Sequence, residues 1–329
     1  MSKMNDKPPR KISLYLRLIW HHIVFWSFPT PEEDYYLNLG TIYFHLEKYY
    51  KAISFLEKSE KSRHYQDASY SRYNCFYLGH CYLNLGNFAK AVKYFEKYLK
   101  YNNKGHAILA YVGWCYMLTN RPSDALETCL QGAKIEPDSP IWNIECAKIL
   151  MELNRGDEAL QHLELAEAKT RDSNVIEIIK SLKYKIGGRL DKSIEALKSV
   201  ISKIHANASS LISKADCYIM LCRYQREYGD LKGVLSTVGK VFEENPNDLW
   251  VINEVAIEYA DQEIKLEEAL KLINKALMYQ PENSIFIDTK GWILYKMGRE
   301  EEAKLEIEKS LALNPDCKDT QEHYKVIMT

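Results

Sequence analysis

The sequence predicts an all-α fold built as an array of helix pairs, and three observations predict it. A small residue recurs at Gly40, Gly79, Gly113, Ala147, Ser181, Cys222, Ala256 and Gly291, at spacings of 39, 34, 34, 34, 41, 34 and 35 residues. Twelve residues later, or thirteen after Ala256, comes a second position that is nearly always small: Ala52, Ala91, Ala125, Ala159, Ser193, Val234, Ala269 and Ala303. A proline closes four of these repeats, at Pro137, Pro246, Pro281 and Pro315, where its ring stops a helix. Self-similarity at a period of about 20 to 50 residues is the mark of a repeat architecture.

The chain opens with residues 1–30, a basic and apolar segment outside the repeat register. Its core, LRLIWHHIVFWSFP from Leu16 to Pro29, places Arg17 and His21 on one side of a helical wheel and Leu16, Ile19, Trp20, Ile23, Phe25 and Trp26 on the others. A spanning helix needs about 20 apolar residues, so Arg17 and the paired histidines argue against a crossing. The basic flank followed by an apolar run resembles a signal peptide, but no small-x-small cleavage site follows. The segment reads as a docking element, for a protein or for a membrane surface reached through residues 12–28.

Repeats follow over residues 31–315, starting near 33, 72, 106, 140, 174, 215, 249 and 284. In each, the first helix carries the small residue and, three positions on, a large one: Tyr43, Tyr82, Tyr116, Leu150, Tyr184, Gln225, Tyr259 and Leu294. Two antiparallel helices approach closely only where a glycine or alanine faces the partner, and the large side chain fills the space one turn on. Five extra residues near 62–68 lengthen the first join. The fifth repeat has Lys180 at a position expected to be apolar, and the sixth has Cys222, Gln225 and Val234 at the signature positions. It also follows a join seven residues too long, near Ile201 to Ala215, where an irregular connection is expected. Residues 316–329 close the chain as a capping helix with Tyr324 and Ile327 inward, since a terminal repeat otherwise exposes its apolar side.

These residues together resemble the tetratricopeptide repeat (TPR) family, with about eight repeats. The resemblance implies a right-handed α-α superhelix, a TPR solenoid, with an extra N-terminal apolar helix and a C-terminal capping helix. It also implies a concave groove lined by the first helices. Counted half a turn from the packing positions, the candidate groove residues are Leu37, Phe44, Tyr73, Phe76, Leu83, Trp114, Met117, Ile144, Met151 and Ile178, with Arg223 and Arg226 as a second, polar site. An apolar strip of this extent suits an amphipathic or apolar helical segment of a partner. Family members that hold the acidic tails of heat-shock chaperones use lysine, arginine and asparagine here. Leu37, Phe76, Ala110 and Ile144 stand in those places, so a carboxylate clamp is not expected.

Composition excludes other classes. Forty-four Lys and Arg balance 45 Asp and Glu, for a net charge of −1, so no global field draws nucleic acid. Eight cysteines occur without a CxxC pair, which fits buried thiols in a reducing, cytoplasmic setting better than disulfides or metal ligands. No HExxH, phosphate loop, GxSxG or EF-hand pattern occurs, and the repeats leave no room for a catalytic domain. The sequence therefore points to a non-enzymatic protein-interaction scaffold, with no cofactor or metal. A membrane surface and a second copy of the chain remain open as further partners.

Overall fold

The computed structural model describes residues 32–61, 68–102, 105–204 and 214–329. The N-terminal docking residues Leu16, Ile19, Trp20, Ile23, Phe25 and Trp26 lie outside the described residues, as do most of the two lengthened joins. Every element among the described residues is a helix, and none is long and apolar enough to cross a membrane. The chain divides into two compact bodies, one ending at Cys115 and the other beginning at Tyr116.

The first body contains α1 (Glu32–His45), α2 (Tyr49–Glu60), α3 (Ala68–Asn84), α4 (Phe88–Tyr101) and most of α5 (His106–Leu118). The second holds the end of α5, then α6 (Pro122–Ile135), α7 (Pro140–Glu152), α8 (Gly156–Ala168), α9 (Ser173–Ile186), α10 (Leu190–Lys203), α11 (Lys214–Tyr228) and α12 (Leu231–Glu244). It continues with α13 (Leu249–Asp261), α14 (Leu266–Tyr279), α15 (Ser284–Lys296), α16 (Glu300–Leu313) and α17 (Lys318–Met328). The helices fall into the pairs expected from the spacing of small residues, and the fold is an all-α repeat fold.

The small positions are where the pairs touch. A Cβ added to Gly40 would sit 2.5 Å from Leu56 Cγ, and one added to Gly79 would sit 2.4 Å from the Phe95 ring. Their companions Ala52 and Ala91 are fully buried. In the fifth repeat both small positions are serine, and the two buried hydroxyls meet at 2.8 Å. Each hydroxyl has one proton and also has a carbonyl within reach across the pair, the Ser181 carbonyl 2.9 Å from Ser193 Oγ and the Ser193 carbonyl 3.1 Å from Ser181 Oγ, so the two protons are shared among these acceptors. Polar atoms here satisfy one another, as burial requires. The sixth repeat makes a similar exchange: buried Gln225 accepts from the Thr237 hydroxyl at 2.8 Å, beside a fully buried Val234.

One regularity unites all the turns within pairs. Seven residues after the small position, at Glu47, Gly86, Asn120, Asn154, Gly188, Gly229, Glu263 and Gly298, the backbone enters the left-handed region, with φ from 53° to 82°. The next residue then donates its N–H back to the carbonyl of the large signature residue. Asn87 bonds Tyr82 at 2.9 Å, Arg155 bonds Leu150 at 2.8 Å, and Arg299 bonds Leu294 at 2.9 Å. This is a helix C-terminal cap, which satisfies carbonyls the helix leaves open. The extra residue after Ala256 is absorbed by a second left-handed residue, Lys265 at φ 46°.

At the C-terminus, α17 packs as a cap. Ile327 is 4% exposed and, with Tyr324 beside it, closes over Leu294, Ala303 and Ile307.

Candidate functional site

The first helices of the first body carry a continuous field of aromatic rings. On α1, Phe44 meets Tyr77 of α3 at 5.2 Å between centroids and His80 at 6.3 Å. Phe76 stands edge-on to His80 at 4.4 Å, and His80 in turn meets Tyr111 of α5 at 4.8 Å. Phe95 of α4 lies beneath, 5.0 Å from His80 and 5.8 Å from Tyr111. Trp114 leans on Phe88 at 5.8 Å. Most of these rings meet edge to face or at a tilt, the arrangement aromatic quadrupoles favour.

Several of these rings remain open to solvent: Tyr73 is 53% exposed, Trp114 45% and Tyr111 38%. Phe44, Phe76, Tyr77 and Leu37 are half-buried. His80 behaves as one of the rings and not as a base, because burial pushes its pKa down to about 4. The rings themselves therefore carry no charge. Helix α5 contains no lysine, arginine, aspartate or glutamate, and α3 contains one such residue, Arg72, whose guanidinium lies 5.2 Å from the Tyr73 ring.

The structure places the candidate groove residues unevenly. Phe44, Tyr73, Phe76 and Trp114 gather on this face. Leu83 is 6% exposed and belongs to the core, so it offers nothing to a partner. In the second body, Met117 and Met151 are half-buried, whereas Ile144 and Ile178 are each 1% exposed. The α9 face belongs to the interior. Arg223 of α11 forms an ion pair with Glu152 of α7, two helix pairs away, and Val175, Ile178 and Leu182 of α9 are buried. Of the candidate groove residues in the middle repeats, Ile144 and Ile178 are thus corrected to interior positions, while Met117 and Met151 keep part of their surface.

Arg223 and Arg226 form no open polar site. Asp216 and Glu227 lie near them on the same helix. Arg223 instead takes Glu152, while Arg226 takes Glu258 of α13, which is 1% exposed and also accepts from Gln262 Nε2 at 2.6 Å. Glu227 pairs with Lys185. The charges join helices to one another.

Tyr77 and Tyr111 belong to the aromatic face but were not among the sequence candidates. A signal existed, since both stand two residues before the small position of their repeats. All eight cysteines are free thiols, and burial raises Cys81 and pushes Cys115 up to about 12, away from reactivity. Among the described residues no group of three His, Cys, Asp or Glu could hold a metal ion.

Comparison with known proteins bears on the repeats. Residues 73–104 match one model of the tetratricopeptide repeat, and residues 33–63 and 288–317 match another. A TPR repeat-containing protein of Pseudomonas aeruginosa is 22% identical over 169 residues, which cover 51% of this chain and 28% of that protein. The chain thus spans under a third of that relative. Among solved structures, a tetratricopeptide repeat protein from Parabacteroides merdae aligns over 79% of this chain and 99% of its own, at 14% identity and TM-score 0.46. The solved structure of a human IFIT1 dimer with PPP-AAAA aligns over 89% of this chain and 71% of its own, at 15% identity and TM-score 0.47.

Proposed function

Taking as premise that segments of this chain match the tetratricopeptide repeat, we propose that it is a non-enzymatic, cytoplasmic scaffold that binds an apolar or amphipathic helical segment of a partner protein. The observation that supports this reading is the solvent-open aromatic face formed by α1, α3 and α5, whose rings carry no charge. Monomeric proteins seldom leave a contiguous apolar patch of this kind to water, and aromatic residues are the side chains that dominate binding energy where they are desolvated. A helix presenting apolar residues at i, i+3, i+4 and i+7 has the shape and chemistry to lie across such a face.

The test is co-purification from the native source with Tyr73→Glu, Trp114→Glu double-substituted protein beside the wild type. These two rings are among the most exposed on the face, so helical content by circular dichroism should be unchanged. Loss of a partner that the wild type retains is the expected result; equal recovery would overturn the proposal.

A second reading rests on the sequence of residues 12–28, whose tryptophans and basic flank suit a membrane boundary. In that reading the chain is a membrane-associated assembly factor. Deleting residues 1–28 should then shift the protein from the membrane fraction to the supernatant, and unchanged fractionation would refute it.

A further inference from the structure

Trp114 and Trp292 occupy the same place in their repeats, each one residue after the small glycine of a first helix. Their surroundings differ. Trp114 is 45% exposed, whereas Trp292 is covered by α17: the His323 ring stacks on it at 4.2 Å between centroids and 13° between planes. The same histidine holds a second group of the α15 face. His323 Nδ1 lies 3.1 and 3.0 Å from the two oxygens of Asp288, which is only 5% exposed. Trp292 Nε1 donates to Asp261 of α13 at 2.8 Å, and Lys296 Nζ sits 4.9 Å from its ring.

We propose that α17 is a displaceable latch over the Trp292 face of α15, held shut by the His323–Asp288 contact and loosened when His323 loses its proton.

The charges around the latch set its direction. The acids acting on His323 are Asp288 from α15, Asp261 from α13 and Asp319 from α17 itself; Lys296 of α15 lies over the Trp292 ring on which His323 stacks and pairs with Glu263, the Cys317 thiol stands near Asp288 and Asp319, and α16 offers the apolar Ala303 and Ile307. Burial opposes the imidazolium, but the bond to Asp288 and the nearby carboxylates more than offset it, so His323 binds its proton more tightly than a free imidazole does. Burial also raises Asp288. The latch is strongest where Asp288 is ionised and His323 is protonated. A histidine whose value is raised by folding stabilises the contact fully below its unfolded value of about 6.5, and that stabilisation is lost as pH rises through the folded value. A neutral His323 leaves Asp288 as a buried carboxylate without a counter-charge, which favours departure of the helix that buries it.

The latch is independent of whatever binds the first body, and its test reads α17 directly. Hydrogen exchange of α17 amides is measured at pH 6 and pH 8.5, each referenced to α16 amides in the same sample to cancel the intrinsic pH dependence. The wild type should lose protection in α17 relative to α16 by about tenfold between the two, the size of one charge-assisted hydrogen bond. His323→Gln, which cannot titrate, should show the same ratio at both. Asp288→Asn, which keeps the shape and removes the charge, should show the loosened ratio already at pH 6. A wild-type ratio that does not change with pH, or a His323→Gln protein that follows the wild type, would overturn the latch.

Discussion

A methyl group at Gly79 would lie 2.4 Å from the Phe95 ring, whereas at Gly291 its nearest neighbour, the backbone nitrogen of Ile307, would be 3.3 Å away. The two glycines hold the same register position, yet they carry different constraints. Phe95 is fully buried, and its rigid ring is the atom group the methyl would meet. Gly79→Ala should therefore cost about 2 kcal/mol, as overpacking of a filled core does. Gly291→Ala should stay within about 1 kcal/mol of the wild type, because alanine's better helix propensity works against the slight crowding. Urea denaturation of the two variants separates these outcomes. Turn glycines obey another rule. Gly188 has φ +70°, and a Cβ placed there would meet nothing within 4 Å. Its replacement by alanine should cost about 1 kcal/mol from the left-handed backbone alone, readable in the same experiment as a shift without any packing change.

At the scale of elements, helices in the second body are tied by ion pairs that cross between repeats, and burial decides what each is worth. Arg223 and Glu152 keep 56% and 36% of their side-chain surface, so their pair is of the surface kind. Arg226 reaches Glu258, whose side chain retains 1%. Arg223→Met should cost under about 1 kcal/mol, the ordinary value of an exposed pair. Arg226→Met should cost about 3 kcal/mol, because it strands a carboxylate inside the α11–α13 contact. Comparison of denaturation midpoints checks this, and equal effects would mean that water reaches Glu258 once the arginine is gone. Element boundaries follow from local chemistry as well. Asp248 starts α13 by accepting from the backbone of Trp250 at 2.9 Å, and Asn283 starts α15 by accepting from Ile285 at 3.0 Å, each satisfying donors that a helix start leaves open.

For the whole molecule, charge is nearly balanced at −1, and the proposed binding face adds almost none of its own. Association there should depend on contact and not on electrostatic steering. The affinity of a partner recovered through the aromatic face should change less than about twofold between about 50 and 500 mM salt, since only charged contacts are screened over that range. A steep salt dependence, measured by titration, would place binding elsewhere. By itself the sequence determined the helix pairs, their register and the closing helix, because close helix approach demands small residues at a fixed period and leaves that period written in the chain. It also put Phe44, Tyr73, Phe76 and Trp114 on one apolar side, since these positions follow from helical counting within single repeats. It did not reveal that Leu83, Ile144 and Ile178 are interior, nor which acids Arg223 and Arg226 select. Those outcomes depend on residues one or two repeats away, such as Glu152 meeting Arg223 over α9, or α17 returning onto Trp292. Periodicity within a repeat fixes which way a side chain points; only the packing of repeats on one another decides whether it points into water or into a neighbour.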